Sequence, residues 1–93
     1  MSPPAWQRRL DETSSEADVV AIARDFVGRL SPSDLERLPE ICRPVPIARG
    51  SDVTAYASIL VRHHCSGDGA THRLVARLTE FFSAAARRVA ELG

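Results

Sequence analysis

The chain has 93 residues, and its 12 basic and 12 acidic side chains give a formal net charge of zero. Nucleic-acid binding normally requires an excess of positive charge to neutralise phosphates, so this balance disfavours a nucleic-acid partner. No apolar run approaches the roughly 20 residues that span a bilayer, and the N-terminus MSPPAWQRRLDETSS lacks the apolar region of a secretory signal. We therefore expect a cytoplasmic protein without a membrane partner. In that compartment Cys42 and Cys65 are expected to be reduced.

Residues 1–14 are expected to form a flexible N-terminal arm, and residues 15–93 a single all-α domain. The arm contains Pro3, Pro4 and a polar stretch, and unanchored termini are usually mobile. Trp6 and Leu10 are four residues apart and would share one face of a short helix. Two hypotheses for Trp6 stay open: it folds back on its own chain, or it docks on a second subunit.

The first predicted helix covers approximately residues 15–30. Thr13 and Glu16 fit a capping box, and Ser15 is a second possible cap. The apolar side chains that follow recur at the spacing of one buried helical face. They are Val19, Ile22, Ala23, Phe26, Val27 and Leu30.

A short second helix is predicted after Ser31, which can cap it, with Pro32 in the first helical position. Pro39 limits this helix to about two turns, because proline removes a backbone donor. Its apolar positions are Leu35, Leu38 and Ile41. The connector CRPVPIARGSD is expected to be extended, with Val45 and Ile47 filling a groove.

A third helix is predicted from Ser51 or Asp52, and Gly67 and Gly69 are expected to end it. Its apolar face consists of Val53, Tyr56, Ala57, Leu60 and His64, with Ile59 and Val61 at the flanks. The fourth helix is expected from about Thr71 to Leu92. Its apolar side consists of Leu74, Val75, Leu78, Phe81, Phe82, Ala85, Val89 and Leu92. The sequence therefore predicts an all-α fold: a small helical bundle of three main helices plus one short helix, with a long C-terminal helix.

Residues 61–73, VRHHCSGDGATHR, form a histidine segment that admits three interpretations. The simplest is a break between two helices. The second is a metal- or ligand-binding site in which His64, Cys65 and His72 act together, with His63 beside them. The six residues between Cys65 and His72 match no usual zinc-ligand spacing. The third is a pH-responsive contact, because the pKa of histidine lies near neutrality.

Catalysis and phosphate binding are disfavoured in the histidine segment. Neighbouring side chains on a helix diverge, so His64 and Cys65 do not form a nucleophile and base pair, and no orienting carboxylate is identifiable. A phosphate at SGDGAT would meet Asp68, and the lysine of a phosphate-binding loop is absent. We therefore expect no enzymatic activity and no cofactor.

A second pattern on the last helix predicts an interaction surface. Small side chains recur at alternating spacings of four and three residues, almost opposite the apolar face. This small-residue stripe consists of His72, Ala76, Thr79, Ser83, Ala86 and Ala90, and the charged residues, Arg88 among them, are expected to remain in water. Small side chains let helices approach closely. Either the first helix or another copy of the chain would cover the stripe, unless it reflects only a high alanine content.

The leading hypothesis from these patterns is a small helical protein–protein interaction or regulatory module that forms a homodimer. Its expected interaction residues are Ala76, Thr79, Ser83, Ala86, Ala90 and Trp6. Twofold pairing is the commonest way for a short chain to bury more surface. The alternative is a metal- or small-ligand-binding protein that uses the histidine segment.

Overall fold

The computed structural model describes residues 4–63 and 69–93, and throughout these two ranges the regular secondary structure is helical. The helices are α1 (Ala5–Asp11), α2 (Glu16–Gly28), α3 (Pro32–Arg37), α4 (Gly50–His63) and α5 (Gly69–Leu92), with a 3₁₀ turn at Glu40–Cys42. The predicted all-α class is confirmed, as is the long C-terminal helix. None of the described helices is long and apolar enough to cross a membrane.

Helix α5 forms one wall of the core and contacts α1, α2 and α4, and α2 also packs on α4. The apolar face predicted for α5 is buried over most of its length, whereas Val89 and Leu92 are partly buried at its end. The buried residues on this helix are Leu74, Val75, Leu78, Phe81, Phe82 and Ala85. Opposite them lie Val19, Val20, Ile22 and Ala23 of α2 and Val53, Tyr56, Ala57 and Leu60 of α4.

In the N-terminal segment, for which the sequence predicts a flexible arm, residues 5–11 form helix α1 and pack on the bundle. Leu10 is only 2% exposed, and the ring centroid of Trp6 lies 5.3 Å from that of Phe81, edge to face. A seven-residue helix is too short to be stable alone. Burial of Trp6 and Leu10 on α5 is what stabilises α1 here.

The turn between α1 and α2 is held by Arg88, which corrects the expectation that this side chain lies in water. Its Nε donates to Thr13 Oγ1 at 2.9 Å, and its Nη2 donates to the carbonyls of Thr13 and Asp11. Thr13 is 6% exposed and lies at the edge of the core. It does not form the capping box that the sequence predicts for α2. The cap of α2 is Ser15, whose hydroxyl accepts from the Asp18 N–H.

Between α2 and α4 the predictions hold in part. Ser31 and Asp34 form a capping box at α3, and Leu38 is buried before Pro39. Ile41 and Val45 are 57% and 44% exposed, so their predicted inward positions are wrong, whereas Ile47 is buried. The helical repeat ends at Arg37 and a 3₁₀ turn follows, so Ile41 no longer shares the face of Leu35 and Leu38.

Helix α4 is fixed at its start by Asp52 and in its middle by Tyr56. The Asp52 carboxylate accepts from the N–H groups of Ala48 and Arg49, both at 2.9 Å. The Tyr56 hydroxyl donates to the carbonyl of buried Cys42 at 2.6 Å, which joins α4 to the 3₁₀ turn. The helix begins at Gly50, one residue before the first expected cap.

Candidate functional site

A shallow groove runs between α4 and α5 on the outside of the bundle. We call it the α4–α5 groove; its volume is about 440 Å³, and it is lined by Thr54, Ala57, Ser58, Val61, Arg62, Ser83 and Ala86. Most of these side chains are small, and the groove stays open because the small side chains do not reach across it. Val61 is 52% exposed at the rim and adds a large apolar side chain to this surface.

The α5 half of the groove coincides with part of the predicted small-residue stripe. Ser83 and Ala86 line the groove and are half-buried, and Thr79 is half-buried one turn before Ser83. Ala76 and Ala90, at the two ends of the stripe, are exposed. Helix α4 therefore lies along one edge of the stripe, where the sequence offered only the first helix or a second copy as cover.

Thr79 presents no free hydroxyl to this surface. Its Oγ1 donates to the Val75 carbonyl at 2.7 Å, one turn back on the same helix. A hydroxyl already bonded to its own backbone needs no partner from outside. The surface at Thr79 therefore behaves like that of the neighbouring alanines.

Two unlike charges lie beside the small-residue stripe, on the side away from α4. Glu80 precedes Ser83 by three residues and Arg87 follows it by four, so both project to the same side of the stripe. Both side chains are exposed, and within residues 4–63 and 69–93 neither forms an ion pair. These charges are available to a partner.

Trp6, the remaining predicted interaction residue, lies on a different face of the molecule. It is half-buried against Phe81 of its own chain. Of the two hypotheses stated for this side chain, the described contacts are those of the first, in which it folds back on the same chain. It is not among the residues that line the α4–α5 groove.

The histidine segment is described only at its two ends. His63 is the last residue of α4 and is half-buried. His72 lies on α5 and is exposed to solvent, as its position on the helix predicts. His64, Cys65 and Asp68 lie outside the described residues. Among the residues that are described, no group of three His, Cys, Asp or Glu side chains could hold a metal ion. The metal-site hypothesis stays a prediction.

The sequence patterns missed the α4 half of the groove. Thr54, Ser58 and Val61 recur at spacings of four and three residues, as the small residues of α5 do, but the apolar face of α4 is more conspicuous. A search for small residues on every helix, rather than on the longest one, would have found them.

Comparisons with protein-family models, with curated proteins and with solved structures each gave no match. The function therefore has to be argued from the geometry of this chain.

Proposed function

We propose that this protein is a small, non-enzymatic protein–protein interaction module that forms a homodimer through the small-residue stripe of α5 and the α4–α5 groove beside it. In this dimer α5 of one subunit lies antiparallel to α5 of the other, with Ser83 near the twofold axis. The observation that carries the proposal is the position of Glu80 and Arg87 beside an open surface of small side chains.

The charge pattern is complementary to itself in the antiparallel arrangement. With a twofold axis near Ser83, a residue three positions before Ser83 in one subunit lies close to the residue four positions after Ser83 in the other. The two residues are offset by about 1.5 Å along the helix axis, which is the rise of one residue. Glu80 of each subunit then faces Arg87 of the other, and the pair occurs twice. In a parallel arrangement the twofold axis would place the two copies of Glu80 on opposite flanks of the interface, so neither would face Arg87 of the partner.

The shape of the small-residue surface also fits α5 of a second subunit. Small side chains at Ala76, Ser83 and Ala86 permit close approach of a second helix. The partner's α5 would also cover Val61, whose apolar side chain is half exposed in the single chain. The α4 and α5 helices of both subunits would then pack as a four-helix bundle, with the helix pair of one subunit against that of the other.

The first test uses Ala76→Arg, because Ala76 is exposed in the single chain and a longer side chain there leaves the monomer fold intact. Native mass spectrometry and light scattering after size exclusion should show a wild-type dimer and a monomeric Ala76→Arg variant. Ala21→Arg, on the exposed side of α2, is the matched control and should remain dimeric. The same spectra report any bound metal ion.

A charge exchange tests the direction of the helices. Glu80→Arg should weaken dimerisation about tenfold, because it replaces two attractive pairs by two repulsive ones. Adding Arg87→Glu in the same chain should restore it. A wild-type chain that stays monomeric at millimolar concentration overturns the homodimer, and a double variant no tighter than Glu80→Arg overturns the antiparallel arrangement.

A further inference from the structure

A separate pocket lies on the opposite flank of α5, between the N-terminal helices and the core. We call it the Trp6 pocket; its volume is about 360 Å³, within the range of roughly 300–1,000 Å³ usual for small-molecule sites. Ala5, Trp6, Arg9, Ile22, Asp25, Phe26, Arg29, Leu30, Asp34 and Arg77 line it. None of these residues belongs to the α4–α5 groove.

The walls of the Trp6 pocket are aromatic and held in place by the core. Phe26 stacks on Phe81 with ring centroids 4.0 Å apart and an angle of 3° between the planes. Trp6 meets the same Phe81 ring edge to face. Phe81 itself is fully buried, whereas Trp6 and Phe26 are only partly buried and line the cavity. A flat apolar ligand would find these walls already positioned.

The charges of the pocket favour an anion. Three Arg and two Asp side chains line it, which leaves one positive charge in excess. Asp25 is already engaged, because its Oδ2 accepts from Arg9 at 3.0 Å and from Arg29 at 3.2 Å. These partners also lower the pKa of Asp25, with the hydrogen bond from Arg9 as the largest cause, so this carboxyl is ionised at neutral pH.

Asp34 is also committed to its own segment. Its carboxylate accepts from the Ser31 N–H in the capping box of α3 and lies 3.9 Å from Arg37. Arg77, in contrast, forms no ion pair or hydrogen bond with any residue in the described ranges, although it borders the cavity. It is the guanidinium that a bound carboxylate could engage without displacing a partner.

We propose that the Trp6 pocket binds a small aromatic carboxylate. The aromatic ring lies against Trp6 and Phe26, and the carboxylate accepts hydrogen bonds from Arg77. A cationic ligand is disfavoured because both Asp side chains are already paired, and a neutral one leaves the positive charge of Arg77 without a counter-charge.

The test uses 2-naphthoate as the probe and the indole N–H of Trp6 as the reporter. The chain has one tryptophan, so this group gives a single, unambiguous signal in a ¹H–¹⁵N spectrum. Titration with 2-naphthoate should shift that signal in a saturable way. The neutral isostere 2-naphthamide and the cation 2-(aminomethyl)naphthalene should bind at least fivefold more weakly, since the amide offers Arg77 a single uncharged acceptor oxygen in place of a bidentate carboxylate, and the ammonium group offers no acceptor.

Arg77→Gln should raise the dissociation constant of 2-naphthoate at least fivefold. Arg73→Gln is the matched control: it removes the same charge from an exposed position one turn away that does not line the pocket. Ala76→Arg should bind 2-naphthoate as the wild type does, because Ala76 does not line the pocket. The binding result can therefore be interpreted whether or not the protein forms the proposed dimer. An unshifted indole signal, equal binding of the amide, or equal weakening by both arginine substitutions would overturn the proposal.

Discussion

Arg88 is the residue whose role in the fold departs most from its sequence pattern. It lies at the edge of the apolar face of α5, where helical periodicity predicts a solvated charge. Its partners Thr13 and Asp11 are 75 and 77 residues away in the chain. Periodicity predicts which face of a helix is buried, but it contains no information about which distant carbonyls will lie beside that face.

We expect Arg88→Gln to lower the free energy of unfolding by about 1–3 kcal/mol. The guanidinium donates to two carbonyls and a hydroxyl, and hydrogen bonds from charged groups contribute more than neutral ones. Urea denaturation at one fixed protein concentration measures this loss. Arg73→Gln should change it by less than about 0.5 kcal/mol, and an equal loss in both variants would contradict the role assigned to Arg88.

Acid should destabilise the fold through three carboxylates whose pKa values lie below the ordinary 3.8. Hydrogen bonds from Ser14 lower the pKa of Asp18, the Arg9 guanidinium lowers that of Asp25, and the Ala48 and Arg49 N–H groups lower that of Asp52. In each case the unfolded chain takes up its proton at a higher pH than the folded chain. The stabilisation is therefore complete above pH 3.8 and is lost as the pH falls through the folded values.

Urea midpoints measured between pH 7 and pH 2 should show this decline, and Asp52→Asn should make it shallower. The amide keeps the size of the carboxylate but cannot titrate. Superimposable pH profiles for the wild type and Asp52→Asn would show that the interactions of Asp52 with Ala48 and Arg49 do not act through its charge.

At the scale of elements, the sequence predicts the long helices well and the short segments poorly. Helices α2, α4 and α5 repeat their apolar positions over several turns, so their buried faces follow from spacing alone. Helix α1 and the 3₁₀ turn are too short to show a repeat. Their structure depends on burial of Trp6, Leu10 and Cys42 against other elements, and that information resides in the tertiary packing.

The contact between α4 and the 3₁₀ turn gives a test at this scale. Tyr56→Phe should lower the free energy of unfolding by about 1–3 kcal/mol, because it leaves the buried Cys42 carbonyl without its donor. The substitution keeps the ring packed edge to face on Phe82, whose centroid is 4.7 Å away. Thermal and urea denaturation measure the loss.

Tyr56→Leu is the comparison variant, since it removes the hydroxyl and the aromatic contact together. It should be more destabilising than Tyr56→Phe. If Tyr56→Phe is as stable as the wild type, the hydroxyl does not contribute to the joining of α4 and the turn.

For the whole molecule, the sequence predicts the fold class but only half of the candidate interface. The small residues of α5 could be recognised in the sequence because they form a regular stripe on a long amphipathic helix. Those of α4 can be recognised as part of the same surface only once the two helices are known to lie side by side. The Trp6 pocket was not visible at all. Its walls come from α1, α2, α3 and α5, and the burial of Trp6 on α5 could not be deduced from spacing.

Solution scattering should distinguish the single chain from the proposed dimer. The Cα radius of gyration of one chain is 12.7 Å, and a compact particle with twice the 93 residues should have a value of about 16 Å. We expect the larger value for the wild type and the smaller one for Ala76→Arg. A radius that is the same for both variants, at equal concentration, would contradict the proposed dimer.

The hydrogen bonds from Arg88 to the α1–α2 turn also bear on the order in which the chain acquires its structure. Helices α4 and α5 are consecutive and share the most extensive interface, so little loop entropy opposes their early association. The Arg88 contacts, in contrast, close a loop of more than 70 residues. Folding should therefore begin in the C-terminal half, and amide hydrogens of α1 should exchange with solvent sooner than those of α5.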